Sequence, residues 1–169
     1  MKKARRKREA VADCEFTSEP WNFSWVVRGE VCACAWPESQ ANIAFLRNEG
    51  VGVLVSLSKE RQPHKSAHEH FQCHLIHVEE FEDPSMEQIS QFISICDKAH
   101  EENKIVCVHC RMGRGRTGVM LACYLMKYYR QVPGEAMCNV RLMRPGSIET
   151  REQERAVMKF KDYLEWGHL

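Results

Sequence analysis

Ten residues, His109–Cys110–Arg111–Met112–Gly113–Arg114–Gly115–Arg116–Thr117–Gly118, carry three glycines and three arginines between the apolar run Ile105–Val106–Cys107–Val108 and the helix-forming run Val119 to Tyr129. A short β-branched apolar run, a glycine-rich turn and a helix read as a strand–loop–helix unit. Such a unit buries its strand only inside a sheet covered by helices, so it limits the chain to layered α/β folds.

The rest of the sequence agrees. Phe23 to Val27 and Val31 to Cys34 flank Arg28–Gly29–Glu30 as two short strands about a turn. Ser39 to Glu49 fits a helix with Ser39 as N-cap and Gly50 just past its end. Val51 to Leu57 reads as a buried strand, Lys59 to His70 as an exposed polar loop, and His74 to Val78 as a further strand. Ser85 and Gln88 form a Ser-x-x-Gln capping box ahead of Ile89, Phe92, Ile93 and Cys96 at helical spacing. Pro133 to Met143 and Glu149 to Trp166 suit two closing helices. The expected fold is a single α/β domain with a mostly parallel central sheet flanked by helices. The expected organisation is a basic, disordered tail over residues 1–20 and one catalytic domain over residues 21–169.

Composition narrows the partners. Of the 169 residues 44% are apolar and 28% charged, as in soluble globular proteins, and the longest apolar runs are far too short to span a bilayer. The net charge of +1 gives no global reason to expect stable nucleic-acid binding. What basic charge is clustered lies in Lys2, Lys3, Arg5, Arg6, Lys7 and Arg8. The start lacks the apolar stretch of an export signal, and the nine cysteines are an odd number, so reduced thiols are expected. These features place the chain in the cytoplasm, with nuclear import as one reading of the basic start, and as a monomer. His64, His68, His70, His74 and His77 match no zinc spacing, so neither metal nor cofactor is expected.

The chemistry sits in the glycine-rich segment. A loop entering a helix aims successive backbone N–H groups inward, and with the helix dipole these make an anion cradle. Cys110 at its mouth, beside the Arg116 guanidinium, is expected to be held as a thiolate nucleophile. Arg116 can donate two hydrogen bonds to one phosphate. The loop residues Arg111, Met112, Gly113, Arg114 and Gly115 are expected to line the anion site.

This segment resembles the His-Cys-x5-Arg-Thr signature loop of the protein tyrosine phosphatase superfamily. From Asn22 to about Trp166 the chain resembles the small atypical dual-specificity phosphatases, of the type called dual-specificity phosphatase 23. Supporting segments are Leu54–Val55–Ser56–Leu57 and Arg144–Pro145–Gly146–Ser147–Ile148–Glu149–Thr150, with Gln153 following. The resemblance implies a phosphocysteine intermediate on Cys110. It implies that Thr117 donates a hydrogen bond to the Cys110 sulfur, that His109 orients the loop from behind, and that Gln153 contributes to substrate binding. It also implies a carboxylic acid that protonates the leaving group. The family usually presents an aspartate there, and this chain has Glu80 at the matching position. Asp83 is the competing candidate, while Glu79 and Glu82 read as solvated neighbours. Arg111 and Arg114 match two lysines in the loop of the tensin-homologous phosphoinositide phosphatases, which points to a strongly anionic substrate. The expected partner is a phosphorylated protein or another anionic phosphoester. Phosphoinositide or RNA 5′-phosphate hydrolysis and a low-turnover phospho-binding module are the alternatives.

Overall fold

The computed structural model describes residues 16–167. Most of the expected tail, including the basic block, lies outside the described residues. Within the remainder, the Ser18 N–H donates to the Ala41 carbonyl at 3.1 Å, and Pro20 is buried.

Eleven elements follow in order: β1 (Ser24–Val27), β2 (Val31–Cys34), α1 (Gln40–Asn48), β3 (Val51–Ser56), α2 (Ala67–His70), β4 (Gln72–Leu75), α3 (Met86–Glu101), β5 (Ile105–His109), α4 (Gly115–Tyr129), α5 (Pro133–Met143) and α6 (Arg151–Glu165). The sheet order is β1-β2-β5-β3-β4. The β1–β2 hairpin is antiparallel, while β2, β5, β3 and β4 run parallel. The strand that carries the signature loop is therefore the central one. The fold is the α/β domain the sequence predicts.

Strand alternation sorts the core into two layers. Val31, Ala33, Val53, Val55, Val106 and Val108 face one side with residues of α3, α4, α5 and α6. Cys32, Cys34, Leu54 and Cys107 face the other, with Ile43 and Leu46 of α1 and Phe71. The cysteines there are small apolar fillers between closely packed strands.

The helices begin where local chemistry starts them. Ser39, Ser85 and Thr150 each accept the backbone N–H three residues on, and Asn42, Gln88 and Gln153 return the bond, so three of the helices carry a complete capping box. Each cap is worth about 1 kcal/mol. α4 has no side-chain cap, and every residue from Gly115 to Met126 is buried. Its N-terminal N–H groups are left for the loop that precedes it.

Three boundaries differ from the expectation. The strand expected at His74 to Val78 pairs with β3 over Gln72–Leu75 instead. Beyond it Ile76 and Val78 still donate to Ser56 and Leu57 carbonyls, but they leave the ladder to follow the sheet edge toward the loop. The expected loop from Lys59 to His70 ends in the single turn of α2, closed by the Phe71 N–H on the Ala67 carbonyl at 2.9 Å. α4 starts at Gly115, four residues before the apolar run that signals it, because glycine and threonine weaken the sequence signal without preventing the helix.

The tie that sets the loop against the sheet is Arg144, which is 1% exposed. Its Nη1 donates to Ser24 Oγ at 2.6 Å and the Ala33 carbonyl at 3.1 Å, and its Nη2 donates to the Gly113 carbonyl at 2.7 Å. Burial pushes its pKa below the ordinary arginine value. Arg144→Lys keeps the charge but cannot reach three acceptors with a planar fork. The expected outcome is a loss of about 3 kcal/mol in urea unfolding, within the range for a broken buried charge network. Equal unfolding midpoints for the two proteins would show that the tie is not structural.

Candidate active site

The site lies at the C-terminal end of β5, where Cys110 follows directly after His109. Cys110 is 3% exposed and lines a cavity of about 180 Å³ with Glu80, Arg111, Met112, Gly115, Arg116 and Glu149. The Gly113 N–H donates to Cys110 Sγ at 3.2 Å. Gly113 has φ +67°, and a Cβ there would lie 2.5 Å from the Cys34 carbonyl oxygen. Only glycine allows the loop to close this tightly over the strand. A Cβ on Gly115 would lie 2.5 Å from Glu149 Oε2. That second glycine lets a carboxylate approach the first turn of α4.

Arg116 is buried, and its Nη1 donates to the Val78 carbonyl at 2.9 Å. One contact thus fixes the guanidinium and holds the chain just before Glu80. His109 is fully buried behind the loop. Its Nε2 lies 2.5 Å from Ser56 Oγ and its Nδ1 3.4 Å from the Cys110 carbonyl. A carbonyl can only accept, so Nδ1 carries the proton and Ser56 donates to Nε2. Burial pushes the His109 pKa down to about 4, with the nearby Arg116 charge acting in the same direction.

Other expected site residues sit differently. Thr117 Oγ1 is buried without a hydrogen-bond partner, so the expected bond to Cys110 Sγ is not formed. The sulfur takes the Gly113 N–H instead. Arg114 points away from the cavity, with its guanidinium carbon 5.3 Å from the centre of the Trp21 ring. It is a stacking residue, and the expected pair of loop cations reduces to Arg111. Gln153 is fully buried, accepts the Glu149 and Thr150 N–H groups at 2.7 and 3.3 Å, and donates to the Glu82 carbonyl at 3.2 Å. Its amide caps α6 and ties down the segment carrying Glu80, which is a positioning contact.

Of the two expected acids, Glu80 lines the Cys110 cavity and Asp83 does not. Both Glu80 oxygens accept from Arg111 Nη1, at 3.0 and 3.3 Å. Two residues of the Arg144–Thr150 segment that supports the resemblance have site roles the sequence did not assign. Arg144 is one. Glu149 is the other, and it enters the cavity because Ile148 takes φ +59°, a conformation that β-branched residues rarely adopt. Arg141 holds this turn through the Ser147 and Ile148 carbonyls at 3.2 and 2.9 Å. No single-residue signal announces such a turn; only the glycine at 115 hinted at a close approach.

The family model described as the Swiss Army Knife protein, DSP-PTPase phosphatase domain (PTP-SAK), matches residues 20–157. The chain belongs to this family. It is a small dual-specificity phosphatase domain of the protein tyrosine phosphatase superfamily. The dual specificity protein phosphatase CDC14B of Mus musculus is 28% identical over 156 residues, which cover 84% of this chain and 32% of the relative. The chain thus spans about a third of the length of the curated relatives it matches first. The active form of Tk-PTP superposes with a TM-score of 0.76 at 23% identity, covering 83% of this chain and 97% of that one. PTPMT1 in complex with PI(5)P gives a TM-score of 0.78 at 16% identity, covering 88% and 99%. Among the described residues of this phosphatase domain, no helix is long and apolar enough to cross a membrane.

The buried His109 makes stability depend on pH. Its folded pKa of about 4 lies below the ordinary 6.5, so the unfolded chain takes up the proton first as pH falls. Stability is therefore complete above about pH 6.5 and lost progressively down to about pH 4. This group should remove on the order of 3 kcal/mol over that window. Urea unfolding of the wild type and His109→Gln at pH 7 and pH 4.5 checks it. The wild type should lose more stability than the variant across that interval, and parallel losses would refute the assignment.

Proposed function

We propose that this domain is a cysteine-dependent phosphatase acting on phosphotyrosine and phosphoserine/threonine proteins, with Cys110 as nucleophile. The observation that carries the reading is the Cys110 sulfur at the floor of a small cavity, with the Gly113 N–H on it and Arg116 in the wall. The Cys110 sulfur attacks phosphorus, a P–S bond forms, and the bond from phosphorus to the leaving oxygen breaks. A carboxylic acid gives its proton to that oxygen. Water then attacks phosphorus, the P–S bond breaks, the carboxylate takes a proton from the water, and inorganic phosphate leaves.

Arg116 spends Nη1 on Val78 and keeps its other donors for the phosphoryl oxygens, whose charge is spread over three positions in the transition state. The backbone N–H groups entering α4 complete the cradle. Cys107 and Arg144 stand behind the loop and do not line the cavity.

Glu80 is the proposed acid. Its competitor is Glu149, across the same cavity, and no longer Asp83. Phe81 and Met112 stand exposed at the mouth, where they can flank the side chain that carries the phosphate.

The test is hydrolysis of para-nitrophenyl phosphate across pH by the wild type, Cys110→Ser, Glu80→Gln, Glu149→Gln and Asp83→Asn. Cys110→Ser should be inactive. Glu80→Gln should lower kcat by about 10²–10⁴-fold and flatten the alkaline limb of the profile. Asp83→Asn should stay within about threefold of wild type, as expected for a group outside the cavity. A loss confined to Glu149→Gln would transfer the acid role to Glu149. An inactive wild type that still binds tungstate tightly would replace the phosphatase with a phospho-binding module.

A further inference from the structure

α4 begins at the signature loop and ends at a groove that the proposed chemistry does not use. There a cavity of about 530 Å³ opens between the last turn of α4, the start of α5 and the last turns of α6. We propose that this groove docks an acidic, apolar-anchored segment of the protein substrate, away from its phosphorylated residue, an inference that rests on the reading of Cys110 as a phosphatase nucleophile.

The floor of the groove is apolar. Met126, Val132, Pro133 and Leu164 line it. Val132 is 59% exposed and stands at the N-cap of α5, where a serine, threonine, aspartate or asparagine would accept a free N–H and valine cannot. Its own helix gains nothing from it that a polar residue would not supply better. Its exposed side chain instead extends the apolar floor to the mouth, and apolar surface rimmed by charge marks an interaction site.

The rim is positive. Lys127 and Arg130 have no carboxylate partner among the described residues, and Lys161 has only Glu165, at 3.6 Å between two exposed side chains. Three cations face one carboxylate, so the groove favours a negative occupant. The start of α5 adds to this preference. Among the described residues the Gly134 and Glu135 N–H groups donate to no acceptor, and nothing lies within 4 Å of where a Gly134 Cβ would stand. A carboxylate entering beside Val132 would supply the cap that the valine withholds. A bare anion or a nucleic-acid backbone would leave the four apolar side chains uncovered. A concave floor also suits side chains projecting from a peptide better than a flat lipid surface.

The groove is remote from the chemistry. α4 runs 15 residues from the signature loop to this end, a span of about 22 Å. An extended chain covers that distance in about seven residues and needs more to round the surface. The docked segment therefore raises the local concentration of the phosphorylated residue at Cys110 without touching the loop. Its effect belongs in KM, with kcat unchanged.

The experiment uses the full chain and synthetic phosphotyrosine peptides. One carries the phosphotyrosine segment alone, and two others add a tail of leucines and glutamates through a glycine–serine linker of about four or about sixteen residues. The long-linker peptide should have a KM about tenfold below that of the plain peptide at equal kcat, and the short-linker peptide should match the plain one. The advantage should shrink as salt rises and vanish in the double variant Lys127→Glu, Arg130→Glu. Val132→Asp should abolish it too while raising the urea midpoint, because the new carboxylate caps α5 itself. Hydrolysis of para-nitrophenyl phosphate should stay at the wild-type rate in both variants. The tail without phosphotyrosine, followed by fluorescence anisotropy, should bind the wild type and Cys110→Ser alike.

Equal KM values for the three peptides, an advantage that survives the double variant, or one as large with the short linker would overturn the docking groove. So would co-sedimentation of the wild type with phosphatidylserine vesicles that the double variant loses, since the surface would then be a membrane site. Tail binding with no turnover of any peptide would sink the phosphatase reading and leave the groove standing. Turnover with no tail binding would do the reverse.

Discussion

The signature loop is bound to the sheet by a guanidinium that never reaches solvent. Arg144 leaves the end of α5, crosses beneath the loop and joins the Gly113 carbonyl to the Ala33 carbonyl and the Ser24 hydroxyl. Those acceptors belong to the loop, the second strand and the first, so one side chain sets their relative heights. The φ of Gly113 is what brings its carbonyl within reach, because a side chain there would strike the Cys34 carbonyl. From this tie follow the Gly113 N–H on the Cys110 sulfur and the start of α4 immediately after the loop. A buried cation with three hydrogen bonds adds little net stability compared with an apolar filler, but it permits one geometry.

Arg116 carries a second dependence. Its bond to the Val78 carbonyl anchors the chain two residues before Glu80, while Gln153 anchors the Glu82 carbonyl two residues after. The short segment between holds Phe81 at φ +69°, an uncommon conformation for a bulky exposed side chain. The proposed acid is thus suspended between a residue of the phosphate cradle and a residue that caps α6. Loss of Arg116 would remove the proposed phosphate ligand and one of the proposed acid's two moorings together. Effects of cradle variants on acid catalysis are therefore not separable by adding single-variant losses.

Much of this was legible in the sequence, for definite reasons. The central strand and α4 announce themselves by burial on all sides, and two helices by capping residues that act within four positions. Cys110 and Arg116 are legible because a glycine-rich turn between a strand and a helix has few physical uses other than an anion cradle. What failed was whatever depends on a turn in three dimensions. Thr117 and Arg114 are in the right segment, but one faces a buried site without a partner and the other a tryptophan ninety-three positions earlier in the chain. β4 slid toward its N-terminus because Ile76 and Val78, though apolar and buried, bond to the Ser56 and Leu57 carbonyls at and just past the end of β3, outside the regular ladder.

Glu149 and Arg61 show the limit most clearly. In sequence, Arg61 is an ordinary charged residue in a polar stretch, and Glu149 is one member of a segment that supports the resemblance without naming its role. Glu149 becomes a cavity residue through the positive φ of Ile148, a cost offset by Arg141 and by the close packing of Gly118 against Ile148. Arg61 becomes an ordered cation through Trp36, twenty-five positions away. Neither contact leaves a periodicity or a motif. Both place charge beside the same Arg111–Glu80 pair or across the cavity from it. The electrostatics around the loop are therefore set by residues whose roles exist only once the chain has folded, which is where one phosphatase domain can differ in substrate from another with the same signature.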